Sequence, residues 1–206
     1  MNYLTDKQVF QLRHALKKFG HCQVENIIRP QLAQFLNLAS HLMSSYVKEE
    51  NNPVVLTKNK HSKKQYAPII GESLFACLTP IYSQISGKEL IPTYSFFRTY
   101  YKGGTLTLHK DRPACQYSAT IQIDSKDKNI WPIFIKDKKG IIQECKASWG
   151  DVIWYKGEEV EHWREELDFE YSSHLFMHWV DKNDSNYTKY QLDGRNSLGD
   201  PWLSIE

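Results

Sequence analysis

The segment GGTLTLHKDRPACQYSATIQI, residues 103–123, sets His109 and Asp111 one residue apart. In an extended strand residues i and i+2 point to the same face, so this spacing aims an imidazole and a carboxylate in one direction. Such a pair is either an exposed polar pair or two metal ligands waiting for a third. The third would come from a later strand, and His162, His174 and His178 qualify by position. His162, in VEHWREEL, follows His109 by 53 residues, enough chain for several strands to fold back across a barrel. His174 and His178 share a face of the last strand and read as core-lining histidines bonded to neighbours. His14, His21, His41 and His61 lie in helices or loops and receive no assignment. Two imidazoles and one carboxylate form a facial ligand set that leaves the remaining metal positions open to small molecules.

The rest of the chain supplies elements to hold such a set. TDKQVFQLRHALKKFG predicts a helix with Thr5 as cap, Gln8 three residues later, Val9, Leu12 and Leu16 at helical spacing, and Gly20 as the stop. HCQVENII, 21–28, predicts a short strand. RPQLAQFLNLASHLMSSYVKEE predicts a second helix with Leu32, Phe35, Leu36 and Leu42 on one side. A polar loop is expected to about Ala67, followed by the helix pattern GESLFACLTPIYSQISG, which Pro80 should kink or split.

From Ile91 the period becomes two. IPTYSFFRTYY, QYSATIQID, IWPIFIKD, GIIQECKA, DVIWYKG and SSHLFMHWV predict strands, with KDKKG (136–140) and WGD (149–151) as turns. Helices followed by a run of short strands suggest a mainly β, α+β fold. The expected organisation is a single domain over 1–206: a largely helical buttress at 1–90, a β core at 91–181 and a surface tail at 182–206. The aromatics, among them Trp131, Phe134, Trp149, Trp154, Trp163 and Trp179, read as filling for a small barrel.

Bulk composition narrows the class. A formal charge of +2 and no lysine-arginine block beyond KNKHSKK (58–64) argue against a nucleic-acid partner. No apolar run approaches the roughly 20 residues of a membrane span. The first residues lack the apolar core of a signal peptide. Cys22, Cys77, Cys115 and Cys145 are widely spaced, as expected of reduced thiols in a soluble, cytoplasmic protein. The oligomeric state is not legible.

The segment TYYKGGTLTLHKD, with a tyrosine nine residues before the first ligand and a glycine-rich turn before H-x-D, resembles the 2-oxoglutarate and iron(II)-dependent oxygenases, in particular their prolyl-4-hydroxylase-like branch. LIPTYSFFRTYYKGGTLTLHKDRPACQYSATIQI, WPIFI and HWREEL are similar to small uncharacterised bacterial and phage members of that group. The resemblance implies a double-stranded β-helix, or jelly-roll. It implies Fe(II) on His109, Asp111 and His162, and 2-oxoglutarate and dioxygen as co-substrates. Tyr100 matches the tyrosine that contacts the far carboxylate of 2-oxoglutarate. The family's usual cation after the distal histidine is missing: YSSH (171–174) stands there, so Ser172 or Ser173 can bond a carboxylate without neutralising it. A buried carboxylate needs a charge partner. Arg98, two residues before Tyr100 on the same face, is the first candidate, Arg164 the second and a protonated His174 the third. Arg112 sits at the metal edge within reach of substrate.

These features imply hydroxylation of a C–H bond of an amino acid, a peptide side chain or a small metabolite. The carboxylate at 111 argues against halogenation, which needs a small residue there. The rival readings are a non-catalytic cupin-like barrel binding a metal or small molecule, although no G-x(5)-H-x-H pattern is present, and a structural jelly-roll with chance histidines. The loop at 48–66 and the tail are expected to lid the barrel mouth.

Overall fold

Alternation of side chains along three long strands decides the architecture. The structure, a computed structural model, describes residues 1, 3–46 and 62–199. Helix α1 (Asp6–Phe19) starts on a capping box between Thr5 and Gln8 and ends at Gly20, whose φ of 83° is left-handed. Strand β1 (His21–Val24) leads to α2 (Pro30–Tyr46), and β2 (Ser62–Tyr66) to α3 (Ile69–Ser86). The β core follows: β3 (Leu90–Tyr101), β4 (Leu106–His109), β5 (Tyr117–Ser125), β6 (Ile133–Lys136), β7 (Ile142–Cys145), β8 (Val152–Tyr155), β9 (Glu161–Arg164) and β10 (Tyr171–Asp181). These strands form two antiparallel sheets, ordered β1-β8-β5-β10-β3-β2 and β4-β9-β6-β7, the arrangement of a jelly-roll core.

In the larger sheet, β5 and β10 are buried on both faces and β3 on one, its other face half-buried, and the two faces differ in chemistry. Ala119, Ile121 and Ile123 of β5, with Leu175, Met177 and Trp179 of β10, join Leu74, Phe75, Leu78 and Tyr82 of α3 in the main apolar core. Phe75 meets Trp179 edge-on at 5.1 Å, and Tyr82 stacks on Trp154 at 4.7 Å. The opposite face of the same strands carries Ser118, Thr120 and Gln122, all buried and all hydrogen-bonded. A strand with helices on one side and a site on the other cannot read as apolar on both.

Several expectations need correction. Strand β2 falls where a loop was expected. It pairs with the edge of β3, Ser62 opposite Tyr100 and Tyr66 opposite Phe96, and its sequence SKKQY shows the lysines that edge strands carry rather than hydrophobic alternation. The remainder of the expected loop and lid, 47–61, lies outside the described residues. Pro80 does not split α3, which runs unbroken over it; burial of Leu78 and Tyr82 on either side holds the helix together. Of the residues expected on the packed side of α2, Leu32 and Leu36 meet the core, whereas Phe35 and Leu42 are 57% and 69% exposed. Trp154 and Trp179 pack between sheet and helices and not inside the barrel. The strand containing His162, β9, was not read from HWREEL at all. The four cysteines are free, Cys77 exposed and the others buried. Among the described residues no helix is long and apolar enough to cross a membrane.

The tail is anchored deeply. After α4 (Tyr187–Tyr190), Arg195 inserts its guanidinium onto Glu72 Oε2 at 2.9 Å, with side-chain exposures of only 6% and 3%. Glu72 also accepts from Ser95 N and Oγ and from Gly199 N. Removing one partner of a buried pair leaves the other charge uncompensated. Glu72→Gln is therefore expected to lower unfolding free energy by about 3–5 kcal/mol, read from the urea midpoint at constant m-value.

Candidate metal centre

Antiparallel pairing of β4 and β9 sets His109 directly opposite His162, with ring centroids 4.3 Å apart. Each Nδ1 faces a backbone carbonyl two residues back, His109 that of Thr107 at 2.7 Å and His162 that of Val160 at 3.1 Å. A carbonyl can only accept, so both Nδ1 atoms carry the proton and both Nε2 atoms keep a free lone pair. The two Nε2 atoms converge on Asp111 Oδ1 at 3.6 and 3.5 Å. These ligand atoms all lie within 4.8 Å of one another, the one His/Cys/Asp/Glu cluster of this kind among the described residues. Two neutral imidazole nitrogens and a carboxylate oxygen, pre-oriented by second hydrogen bonds, fit a divalent transition metal.

Asp111 is not in the strand. β4 ends at His109, and Asp111 is fixed beyond it by its own N–H on Gly157 O at 2.9 Å and by Ser118 Oγ donating to Oδ2 at 2.7 Å. Burial pushes the Asp111 carboxyl up; the His109 and His162 imidazoles beside it outweigh burial and hold the group well below the usual carboxylate range. His109 moves the other way: its contact with Asp111 raises its pKa, against partial burial.

A cavity of about 300 Å³ opens onto this cluster. Tyr94, Phe96, Arg98 and Tyr100, the same-face residues of β3, line one wall together with Phe176 and His178 of the neighbouring strand β10. Arg98 places Cζ 4.3 Å from the centre of the Tyr100 ring and donates to Ser62 Oγ at 2.9 Å. Arg164 is 3% exposed. It lies over the Trp131 ring at 5.1 Å, donates to Trp131 O and Thr120 Oγ1, and is depressed to about 10 by burial. It pairs with neither Glu165 nor Glu166; Glu165 accepts from Trp163 instead. Among the described residues neither arginine has a carboxylate partner, and the Nε of each is buried without one.

Ser172 and His174 bond each other, Oγ to Nε2 at 2.9 Å, so the Ser172 hydroxyl is occupied. His174 is fully buried, and burial together with Arg164 drives its pKa well below the usual histidine range. It is neutral and cannot serve as the cation considered above. His178 is also neutral, depressed to about 4 chiefly by burial. Neither joins the metal cluster.

Ser118 and Gly157, which no sequence motif marks, complete the centre together with His178. Ser118 bridges Asp111 Oδ2 and His178 Nδ1, at 2.7 and 2.9 Å. On the last strand His178 reads as a core-lining histidine bonded to neighbours, and here its neighbour is Ser118. Gly157 packs so close that a Cβ there would overlap Asp111 Oδ2 and Cys115 O. A glycine in YKGEE carries no textual mark of this role.

No protein-family model and no curated protein matches the sequence. Solved structures do match in shape. A 2OG-Fe(II) oxygenase family oxidoreductase from Burkholderia pseudomallei aligns at TM-score 0.67 with 12% identity, over 90% of this chain and 96% of its own. A prolyl-4-hydroxylase from Pseudomonas putida aligns at 0.66 with 14% identity, over 84% and 99%. EctD from S. alaskensis, solved with bound Fe, aligns at 0.68 with 12% identity, over 95% and 86%. This chain has the 2OG-Fe(II) oxygenase fold. At such identities the likeness lies in the backbone, so the side chains of this oxygenase fold have to be argued from their own geometry. Gly157→Ala is expected to weaken Mn(II) or Fe(II) binding roughly 10- to 100-fold by displacing Asp111, with the overall circular dichroism retained. Calorimetric metal titration checks this.

Proposed function

We propose that the protein is an Fe(II)- and 2-oxoglutarate-dependent dioxygenase that hydroxylates a C–H bond of an amino acid, a peptide side chain or a small metabolite. The observation that carries this reading is the convergence of His109 Nε2, His162 Nε2 and Asp111 Oδ1 beside a cavity. Fe(II) held by these three ligands, with 2-oxoglutarate and dioxygen, supplies the oxidising chemistry that attacks an unactivated C–H bond.

The chain's own residues prepare that chemistry. The Thr107 and Val160 carbonyls hold each imidazole in the tautomer that offers Nε2. Asp111 contributes one negative charge, and its second oxygen is tied to Ser118, which favours coordination through Oδ1 alone. Tyr155, Phe176 and Leu106 present apolar surface that keeps water from the reacting carbon. The far carboxylate of 2-oxoglutarate is assigned to the floor, where Arg98 and Arg164 flank the aromatic pair Tyr100 and Trp131, whose centroids are 4.8 Å apart. Arg164 lies two residues from His162 on the same face of β9, about 6.8 Å along the strand. A buried guanidinium without a counter-ion is costly, and a bound dicarboxylate removes that cost.

Anaerobic addition of Fe(II) and 2-oxoglutarate is expected to give a weak visible charge-transfer band, absent in Asp111→Ala. No band and no succinate above background would remove the dioxygenase reading. Arg164→Met and Arg98→Met should each weaken 2-oxoglutarate binding roughly 10- to 100-fold with metal affinity retained. An unchanged affinity in both would move the carboxylate elsewhere.

A further inference from the structure

The half of the cavity away from Arg98 and Arg164 has its own polar equipment. Ser118 has one hydroxyl proton and donates it to the Asp111 carboxylate, so its oxygen accepts from His178. His178 therefore carries its proton on Nδ1, and Nε2 is a bare acceptor. That atom has no partner among the described residues, and the ring lines the cavity. Tyr94 gathers the other groups. Its ring centre lies 4.7 Å from that of His178, 4.7 Å from Arg112 Cζ and 5.3 Å from the ring centre of Tyr66. The tail brings Asp193 to the same place, where Oδ1 accepts from Arg112 Nη2 at 2.7 Å and Oδ2 from Tyr66 at 2.6 Å. Leu192 and Asp193, at φ of 52° and 55°, hold left-handed backbone that non-glycine residues rarely adopt, and they do so where Asp193 meets the rim.

Arg112, which lines the cavity, keeps 49% of its side chain exposed, and Asp193, bonded to it and to Tyr66 of the same lining, keeps 19%. The fixed charges here are one positive and one negative. A singly charged ligand would satisfy one and face the other unmatched, whereas a molecule carrying both signs matches both without separating the pair. The bare His178 nitrogen asks in addition for an N–H or O–H. A cavity of about 300 Å³, shared with a co-substrate, leaves room only for something small.

We propose that the substrate is a free α-amino acid or a zwitterion of similar size, its carboxylate on Arg112 and its ammonium between Asp193 and His178. This rests on the dioxygenase reading and narrows its substrate class. The ammonium supplies donors for a carboxylate and an imidazole nitrogen at once, which a hydroxyl cannot do with matching charge.

The test is calorimetric titration of the protein, loaded with Mn(II) and 2-oxoglutarate, with the common L-amino acids. Any that bind are followed by their N-acetyl and methyl-ester forms. At least one amino acid is expected to bind, and each blocked form to bind at least about tenfold more weakly. Arg112→Gln should weaken the same amino acid by a similar factor. His178→Gln, which keeps an acceptor, should retain more affinity than His178→Phe. Absence of binding by every amino acid overturns the proposal, as do blocked forms that bind equally well, the result a peptide substrate would give. Failure of Mn(II) or 2-oxoglutarate to bind brings down the dioxygenase reading and this inference with it. Binding of both without any amino acid removes this inference alone.

Discussion

Two imidazoles and a carboxylate occupy the same few ångströms because one pair of short strands is in one register. His109 stands opposite His162 across β4 and β9, and a slip of β4 by one residue would turn the His109 ring to the other side of the sheet. β4 is only four residues long, so its own hydrogen bonds are weak insurance for that register. Pairing of β9 with β6 on its other edge supplies the rest, Ile135 opposite His162. Asp111 then closes the set from outside the ladder, tied at its backbone to Gly157 and at its carboxylate to Ser118. The ligands come from different elements, but each is fixed by a bond to a rigid strand or to the turn beside one.

The larger sheet divides its labour by face. Odd-numbered residues of β5 meet α2 and α3 and hold the fold together, while even-numbered ones point inward as Ser118, Thr120 and Gln122. The inward set is polar and buried, which is costly unless every group is satisfied. Most are satisfied by one another. The exceptions, Arg98 Nε and Arg164 Nε, sit where a ligand carboxylate is assigned.

The pairing of His109 with Asp111 and the run of strands were legible in the sequence, because H-x-D followed by alternating strands is a local pattern. The capped helix α1 and the long strands β3, β5 and β10 were legible for the same reason. What was not legible depends on tertiary neighbours. β2 lacks alternation because it is an edge strand rich in lysine. β9 is four residues of EHWR, too short for a period to show. Gly157 matters only because the chain at 111 and 115 passes against it. His178 looks like any core histidine until Ser118 is placed beside it. The missing family cation was visible as a gap in the text, yet only burial shows that His174 cannot fill it and that Arg164 lacks a counter-ion.

The anchoring of the tail ties the rim of the cavity to a helix behind the sheet. Asp193 holds Arg112 at the cavity, and two residues on Arg195 pins the same segment to Glu72 of α3. A change at Glu72 therefore reaches Asp193 and Arg112 through the tail.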